Sequence, residues 1–100
     1  MVQAKLDVAY IQRNELPADF LIRSVKEKVG MFVKNGKEIT YTYYALELVD
    51  NTKQIYPFDV KFNDKNYLIN TVSPETDEWV GKTITLGLDD KKYIRIDKVL

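Results

Sequence analysis

The dipeptide Asn35-Gly36 constrains the fold of this chain more than any other pair of residues. It lies between two apolar segments, Met31 to Val33 and Ile39 to Tyr41. Both central residues of a type I′ turn need a positive φ angle, which asparagine and glycine adopt at the lowest cost. The sequence therefore predicts a β-hairpin with Asn35-Gly36 at its tip.

The segments on both sides of this turn are predicted to be long strands. Phe20 to Val33 is the first of them, and Gly30 within it predicts a bulge or a bend. Ile39 to Val49 is the second, and it is dense in tyrosine, threonine and leucine, which favour strands. Alternation along this second strand predicts two faces, one with Tyr44, Leu46 and Leu48 and the other with Ile39, Tyr41, Tyr43 and Ala45.

The remaining elements follow from shorter patterns. Leu6 to Ile11 is predicted to be a short strand, with a first helical turn as the alternative. Gln54 to Phe62 is a third strand, which Pro57 marks as an edge or an irregular strand. Apolar residues at helical spacing predict a helix from Asn63 to Val72, capped by Asn63 and stopped by Ser73-Pro74. Two closing strands, Thr83 to Leu88 and Tyr93 to Val99, flank a turn at residues 89–92.

This order of elements defines the expected fold class. One hundred residues, 45% of them hydrophobic and 30% charged, suit one globular domain that spans residues 1–100. Three strands, a helix and two more strands form the order of the OB fold. We therefore expect a mainly β protein, a five-stranded OB-type barrel with one helix between strands three and four.

The second half of the chain also resembles a known type of domain. An acidic turn leads into Trp79-Val80-Gly81-Lys82-Thr83-Ile84-Thr85-Leu86, and Tyr93-Ile94-Arg95-Ile96 follows. These motifs resemble the closing half of small uncharacterised OB-fold-like domains of phages and prokaryotes, over roughly residues 58–99. The resemblance implies an OB-like fold and a role in viral replication or recombination.

The residue types that are missing bear on catalysis. The chain has no cysteine and no histidine, so the commonest nucleophile, general base and metal ligand are all lacking. We expect no enzyme activity and no cofactor. No apolar run approaches the length of a membrane span, and the N-terminus has no apolar signal core. The expected location is the cytoplasm, or the host cytoplasm for a viral protein, without membrane contact.

Aromatic residues supply the candidate binding site. Proteins that bind single strands stack bases on exposed rings and hold the phosphates with nearby cations. In an OB fold the second and third strands carry this platform. The predicted site residues are Tyr41, Tyr43, Tyr56, Arg23, Lys53, Lys61 and Arg95. The competing interpretation is that these rings pack in the core or form cross-strand pairs that stabilise the sheet.

Charge leaves two functions open. Residues 23–28 and 34–37 are rich in lysine and arginine, which suits an arm that contacts phosphates or, alternatively, a solvated strand edge. Fifteen basic residues balance fifteen acidic ones, so any nucleic-acid affinity depends on a local patch. The leading expectation is a non-catalytic module that binds single-stranded nucleic acid, DNA rather than RNA. The alternative is a protein-interaction or assembly module, a homodimer included, that acts through a tyrosine-rich face or a strand edge.

Overall fold

The computed structural model of the chain describes residues 9–100, and these form a mainly β structure with one α-helix. The strands are β1 (Ala18–Lys34), β2 (Lys37–Val49), β3 (Ile55–Val60), β4 (Thr83–Leu88) and β5 (Ile94–Val99), and the helix α1 is Phe62–Thr71. Short 3-10 turns occur at Arg13–Glu15 and Thr76–Glu78. The first half of the predicted strand Leu6 to Ile11 lies outside the described residues, and its second half, residues 9–11, is not in a strand.

The predicted hairpin is confirmed. Asn35 and Gly36 have φ angles of 54° and 76°, and the flanking residues Lys34 and Lys37 are paired. Both turn residues lie in the left-handed region, as a two-residue hairpin loop requires. The register from this tip to the base of the hairpin is therefore set locally.

Sheet order follows from the length of β1. All pairings are antiparallel, and the order is β3-β2-β1-β4-β5. The start of β1, residues 18–21, pairs with β4, whereas the rest pairs with β2. Within the described residues the sheet is not closed, since β3 and β5 are its two edges.

A bulge in β1 changes which residues face the core. Phe20 and Ile22 are buried at even positions, but after the register shift between Ile22 and Ser24 the half-buried Val25 takes the same side. The sequence predicts a bulge or a bend at Gly30, and no bulge is found at that position. Gly30 lies in regular register opposite Tyr41, and the extra residue is at Arg23, where β1 changes partners.

The core lies on one face of the sheet, beneath the helix and the loop that follows it. Its fully buried side chains include Leu46 and Leu48 of β2, Leu68 of α1 and Trp79. The indole N–H of Trp79 donates to the carbonyl of Ser73 at 2.7 Å, so this polar group is satisfied where water is excluded. The predicted alternation of β2 is confirmed, because Tyr44 packs against this core and meets Trp79 edge-on.

The helix begins one residue before its predicted start, and its predicted cap is wrong. Lys61, not Asn63, is the N-cap residue, and it makes no side-chain capping bond. Asp64 lies in the first turn, as expected, but its carboxylate accepts a bond from Arg95. The start of α1 is therefore held by a contact with Arg95 of β5 rather than by a side-chain cap.

Candidate functional site

The hairpin extends beyond the rest of the sheet as a two-stranded ribbon of residues 28–34 and 37–43. We define the arm as this ribbon together with residues 24–27, the part of β1 that leads into it. Pairing of β1 with β4 ends at Leu21, and pairing of β2 with β3 starts at Tyr44. Seven residues of β2 project past that point, roughly 23 Å at about 3.3 Å per residue. A two-stranded ribbon is marginally stable alone, so contacts between its side chains decide its shape.

Register divides the side chains of the arm between two faces. We call the face that continues the core side of the sheet the inner face, and the opposite one the outer face. Directly paired residues share a face in an antiparallel ladder. The outer face therefore carries the pairs Lys28–Tyr43, Gly30–Tyr41, Phe32–Ile39 and Lys34–Lys37.

Four rings on the outer side form one connected group, the aromatic cluster: Phe32, Tyr41, Tyr43 and Phe62. Tyr41 is its centre, with ring centroids 5.7 Å from Phe32, 5.9 Å from Tyr43 and 5.2 Å from Phe62. The Phe62 contact is stacked and the other two are tilted. Phe62 is 56% exposed and Phe32 39%, so this group presents ring surface to solvent.

Tyr41 occupies the space that Gly30 leaves open. A Cβ atom at residue 30 would lie 2.5 Å from Cζ and 2.6 Å from the hydroxyl oxygen of Tyr41. The missing side chain therefore lets the ring lie flat across the neighbouring strand, an arrangement that rescues a glycine inside a sheet. Gly30 therefore forms the surface on which the central ring of the aromatic cluster lies.

The junction between β3 and α1 delivers Phe62 and Lys61 to the same surface. Phe62 has a φ angle of 47°, a conformation that a bulky residue adopts only when its surroundings impose it. The ammonium group of Lys61 lies 5.2 Å from the centroid of the Tyr43 ring, within cation–π range. Lys65, one turn further on, donates to the carbonyl of Thr42 at 2.9 Å. The helix start is thereby tied to the base of the arm.

Charge is segregated between the two faces of the arm. Lysines 26, 28, 34 and 37 fall on the outer face, and Glu27 and Glu38 on the inner face. At the base, Glu47 accepts a bond from Ser24 at 2.6 Å and lies 3.7 Å from Arg23. Asp59 of β3 is a further carboxylate on this side, opposite Ala45. The outer face of the arm is therefore positively charged around the aromatic cluster, although the chain as a whole has no net charge.

Tyr41, Tyr43 and Lys61 are the predicted site residues that the structure brings together. Tyr56 lies on the core side at the far end of β3, opposite Leu48. Its ring meets Phe20 edge-on at 5.3 Å, and its hydroxyl donates to Asp50 at 2.9 Å. This bond raises the pKa of Tyr56. The pKa of Asp50 is lowered, first by the Thr52 hydroxyl and then by Tyr56.

The predicted cations Arg23 and Lys53 are apart from the aromatic cluster. Arg23 is the bulge residue of β1 and pairs with Glu47 at the base of the arm. Lys53 is exposed in the turn between β2 and β3, where its backbone N–H donates to the Asp50 carbonyl at 3.1 Å. That turn is at the opposite end of β2 from the arm.

Arg95 is committed to two carboxylates. Its Nε lies 3.1 Å from both oxygens of Asp64, and its Nη1 lies 3.6 Å from Asp89. The pKa of Asp64 is raised, chiefly by burial, although the bond from Arg95 acts in the opposite direction. Backbone N–H bonds, that of Tyr93 foremost, lower the pKa of Asp89.

A cleft of about 520 Å³ lies between the end of β3 and the start of β5, and Lys61, Phe62, Tyr93 and Arg95 all line it. Both Lys61 and Phe62 line this cleft. Phe62 is also part of the aromatic cluster, and Lys61 contacts the Tyr43 ring of that cluster. Arg95 therefore lines the same cleft as Phe62 of the aromatic cluster.

Sequence reasoning missed Phe32 and Phe62. The register from the Asn35-Gly36 turn pairs Phe32 with Ile39 and Gly30 with Tyr41. Counting back from the turn could therefore have placed Phe32 on the same face as Tyr41. Phe62 carried no such signal, because it was assigned to the end of a strand and its positive φ comes from the turn into α1.

Within residues 9–100, no group of three or more acidic, histidine or cysteine side chains is placed to hold a metal ion. No helix in that range is long and apolar enough to cross a membrane. Comparison of the chain with protein-family models, with curated proteins and with solved structures finds no match.

Proposed function

We propose that this protein is a non-catalytic module that binds single-stranded nucleic acid along the outer face of the arm. One observation carries the proposal: the aromatic cluster and the arm's four lysines share one face, and the arm's glutamates lie on the other. The aromatic cluster offers ring surface for stacking, which adds about 1–3 kcal/mol for each base. Lysines at both ends of the cluster are placed to contact phosphates.

The cluster divides into structural and binding parts. Tyr41 is enclosed by Gly30 and three rings, so its main role is to hold the platform flat. Phe62 and Phe32 keep more of their ring surface exposed and are the better stacking partners. Tyr43, with Lys61 over its ring, joins the platform to a cation.

We propose further that the fold is an open OB-type barrel. Support comes from the sheet order, from a first strand that pairs with both β2 and β4, and from the helix between β3 and β4. The helix start and the cleft lie between the two edge strands β3 and β5. In this arrangement the hairpin is an elongated loop between the first two strands, next to the platform that OB folds use.

The ligand we propose is DNA, in a replication or recombination setting. This follows from the resemblance of the Trp79 to Ile96 segment to phage and prokaryotic domains. The absence of cysteine and histidine supports a binding role without catalysis.

Fluorescence anisotropy with a labelled oligothymidylate at low salt tests the proposal. An oligonucleotide of about 20 nucleotides is long enough to cover at least one binding site. We expect the single strand to bind more tightly than a duplex of the same length. Phe62→Ala and Phe32→Ala should each weaken binding by about 5–150-fold, the loss of one stacked base. Tyr10→Ala is the matched control, because Tyr10 is exposed and follows Ala9, which bonds to Ile55 at the far end of β3.

Salt dependence gives a second readout. If three to five lysines contact phosphates, the slope of log K against log salt is about −2 to −3.5, at about −0.7 per contact. Lys28→Ala and Lys34→Ala should each reduce it by about 0.7, whereas Lys98→Ala, on β5, should not. Equal binding of single strand and duplex, or no binding at tens of micromolar (about −6 kcal/mol), would contradict the proposal.

The alternative function, a protein-interaction or assembly module, has its own supporting observation. The inner face of the arm exposes aliphatic side chains that the described residues do not cover. That face is separate from the aromatic cluster.

A further inference from the structure

The inner face of the arm carries an aliphatic row that the rest of residues 9–100 leaves exposed. Val29, Met31 and Val33 are 70%, 58% and 65% exposed. They lie opposite Thr42, Thr40 and Glu38, and they continue the side of β1 that is buried nearer the base of the arm. A contiguous apolar strip on so small a protein indicates a contact surface.

The two faces of the arm are complementary to each other. The inner face has an aliphatic centre with Glu27 towards the base and Glu38 towards the tip. The outer face has an apolar centre with Lys28 towards the base and Lys34 and Lys37 at the tip. Two inner faces would bring glutamate against glutamate, whereas an inner face against an outer face pairs opposite charges.

We propose that the inner face of the arm docks on the outer face of the arm of a second copy of this chain. The two arms run antiparallel, which puts Glu38 of one copy near Lys28 of the other and keeps the two barrels at opposite ends. Val29, Met31 and Val33 cover Phe32 and Ile39 of the second copy. The interface is heterologous, since each copy contributes a different face.

The size of the surface sets the expected strength. Each face is roughly 23 Å long and about 10 Å wide, two strands at about 4.8 Å spacing plus their side chains. This is below the area of a standard stable interface. The association is therefore weak and depends on concentration. Docking covers the outer face of one of the two copies, so that copy has less aromatic surface available for nucleic acid. A bound oligonucleotide therefore opposes association.

Sedimentation velocity from about 10 µM to about 1 mM, the range of weak complexes, tests the association. We expect the mean sedimentation coefficient of the full chain to rise with concentration. Val29→Thr with Met31→Thr should abolish the rise, since threonine keeps strand propensity but removes the apolar strip. Val80→Thr is the matched control, because Val80 is also exposed but lies in the turn after Trp79.

Charge-reversal variants test the heterologous geometry. E27K/E38K and K34E/K37E should each self-associate less than the wild type, because like charges then meet where an inner face docks on an outer face. An equimolar mixture should associate more strongly than either variant alone, because one variant keeps its outer face and the other its inner face. A strict monomer, association that survives loss of the aliphatic row, or no complex in the mixture would overturn the proposal.

The function proposed above has an independent readout. Val29→Thr with Met31→Thr leaves the outer face intact, so its affinity for the oligothymidylate at low protein concentration should equal that of the wild type. Loss of self-association with unchanged oligonucleotide binding supports the inner face as a separate surface. Failure of oligonucleotide binding in the wild type would refute the proposed function and leave the docking inference standing.

Discussion

Gly30→Ala probes whether the arm depends on the ring that lies across it. The new methyl carbon would come within 2.5 Å of Cζ and 2.6 Å of the hydroxyl oxygen of Tyr41. Atoms cannot share that space, so the Tyr41 ring must move. It can do so only by giving up its contacts with Phe32 at 5.7 Å and Phe62 at 5.2 Å.

The expected loss follows from two opposing terms. Two ring contacts contribute about 1–3 kcal/mol together, at about 0.5–1.5 each. Alanine in place of glycine inside a strand returns about 0.5–1 kcal/mol. The net decrease in the free energy of unfolding is therefore about 0–2.5 kcal/mol. In a domain of this size each kcal/mol lowers the thermal midpoint by roughly 4–8 °C.

Urea unfolding of four proteins measures the coupling: the wild type, Gly30→Ala, Tyr41→Ala and the double variant. Once the ring is gone, Gly30→Ala should stabilise the chain by about 0.5–1 kcal/mol, because only the strand term remains. Gly87→Ala is the control, since its Cβ would meet Asp97 at an ordinary 3.8 Å. Effects of residues 30 and 41 that add within about 0.5 kcal/mol would refute the reasoning. Gly30→Ala should also weaken oligonucleotide binding, and we expect the same of Tyr41→Ala, because both variants displace the central ring of the aromatic cluster.

Three further predictions concern the rest of the fold. Asp50→Asn should destabilise the chain at pH 7 but less at pH 3, because a carboxyl with a lowered pKa contributes stability that is lost as pH falls below its ordinary value of 3.8; urea midpoints at both pH values measure this. Asp64→Asn should remove a decline in stability as pH rises above 3.8, since its pKa is raised; a flat difference between variant and wild type from pH 3 to pH 7 would contradict this. Trp79→Phe should cost about 2 kcal/mol through lost volume and the unpaired Ser73 carbonyl, measured by circular dichroism in urea; a loss below about 0.5 kcal/mol, the size of a surface effect, would contradict it.

Local sequence patterns predicted most of the strands, the helix and the hairpin turn correctly. The Asn35-Gly36 turn and the alternation of β2 depend on neighbours in the chain, and both are confirmed. The strands β4 and β5 and the helix were also found, to within one residue at their ends. These elements follow from backbone preference and from the period of apolar residues.

The bulge and the sorting of the site residues were not predictable in the same way. Gly30 was the plausible position for a bulge, but the bulge is at Arg23, where β1 passes from β4 to β2. Tyr56 and Tyr41 read alike in sequence, yet they fall on opposite faces of the sheet. The face that Tyr56 takes depends on the pairing of β3 with β2, and no local pattern encodes that register.

The sequence by itself determined that a hairpin forms at residues 35–36, that tyrosines 41 and 43 share a face, and that cysteine and histidine chemistry is excluded. Only the tertiary structure decided what surrounds that face. Phe62 reaches Tyr41 because the chain turns sharply after β3, and the bulge at Arg23 assigns Lys26 and Lys28 to the same side. Both depend on contacts between residues far apart in the chain, and such contacts form only when the sheet is assembled.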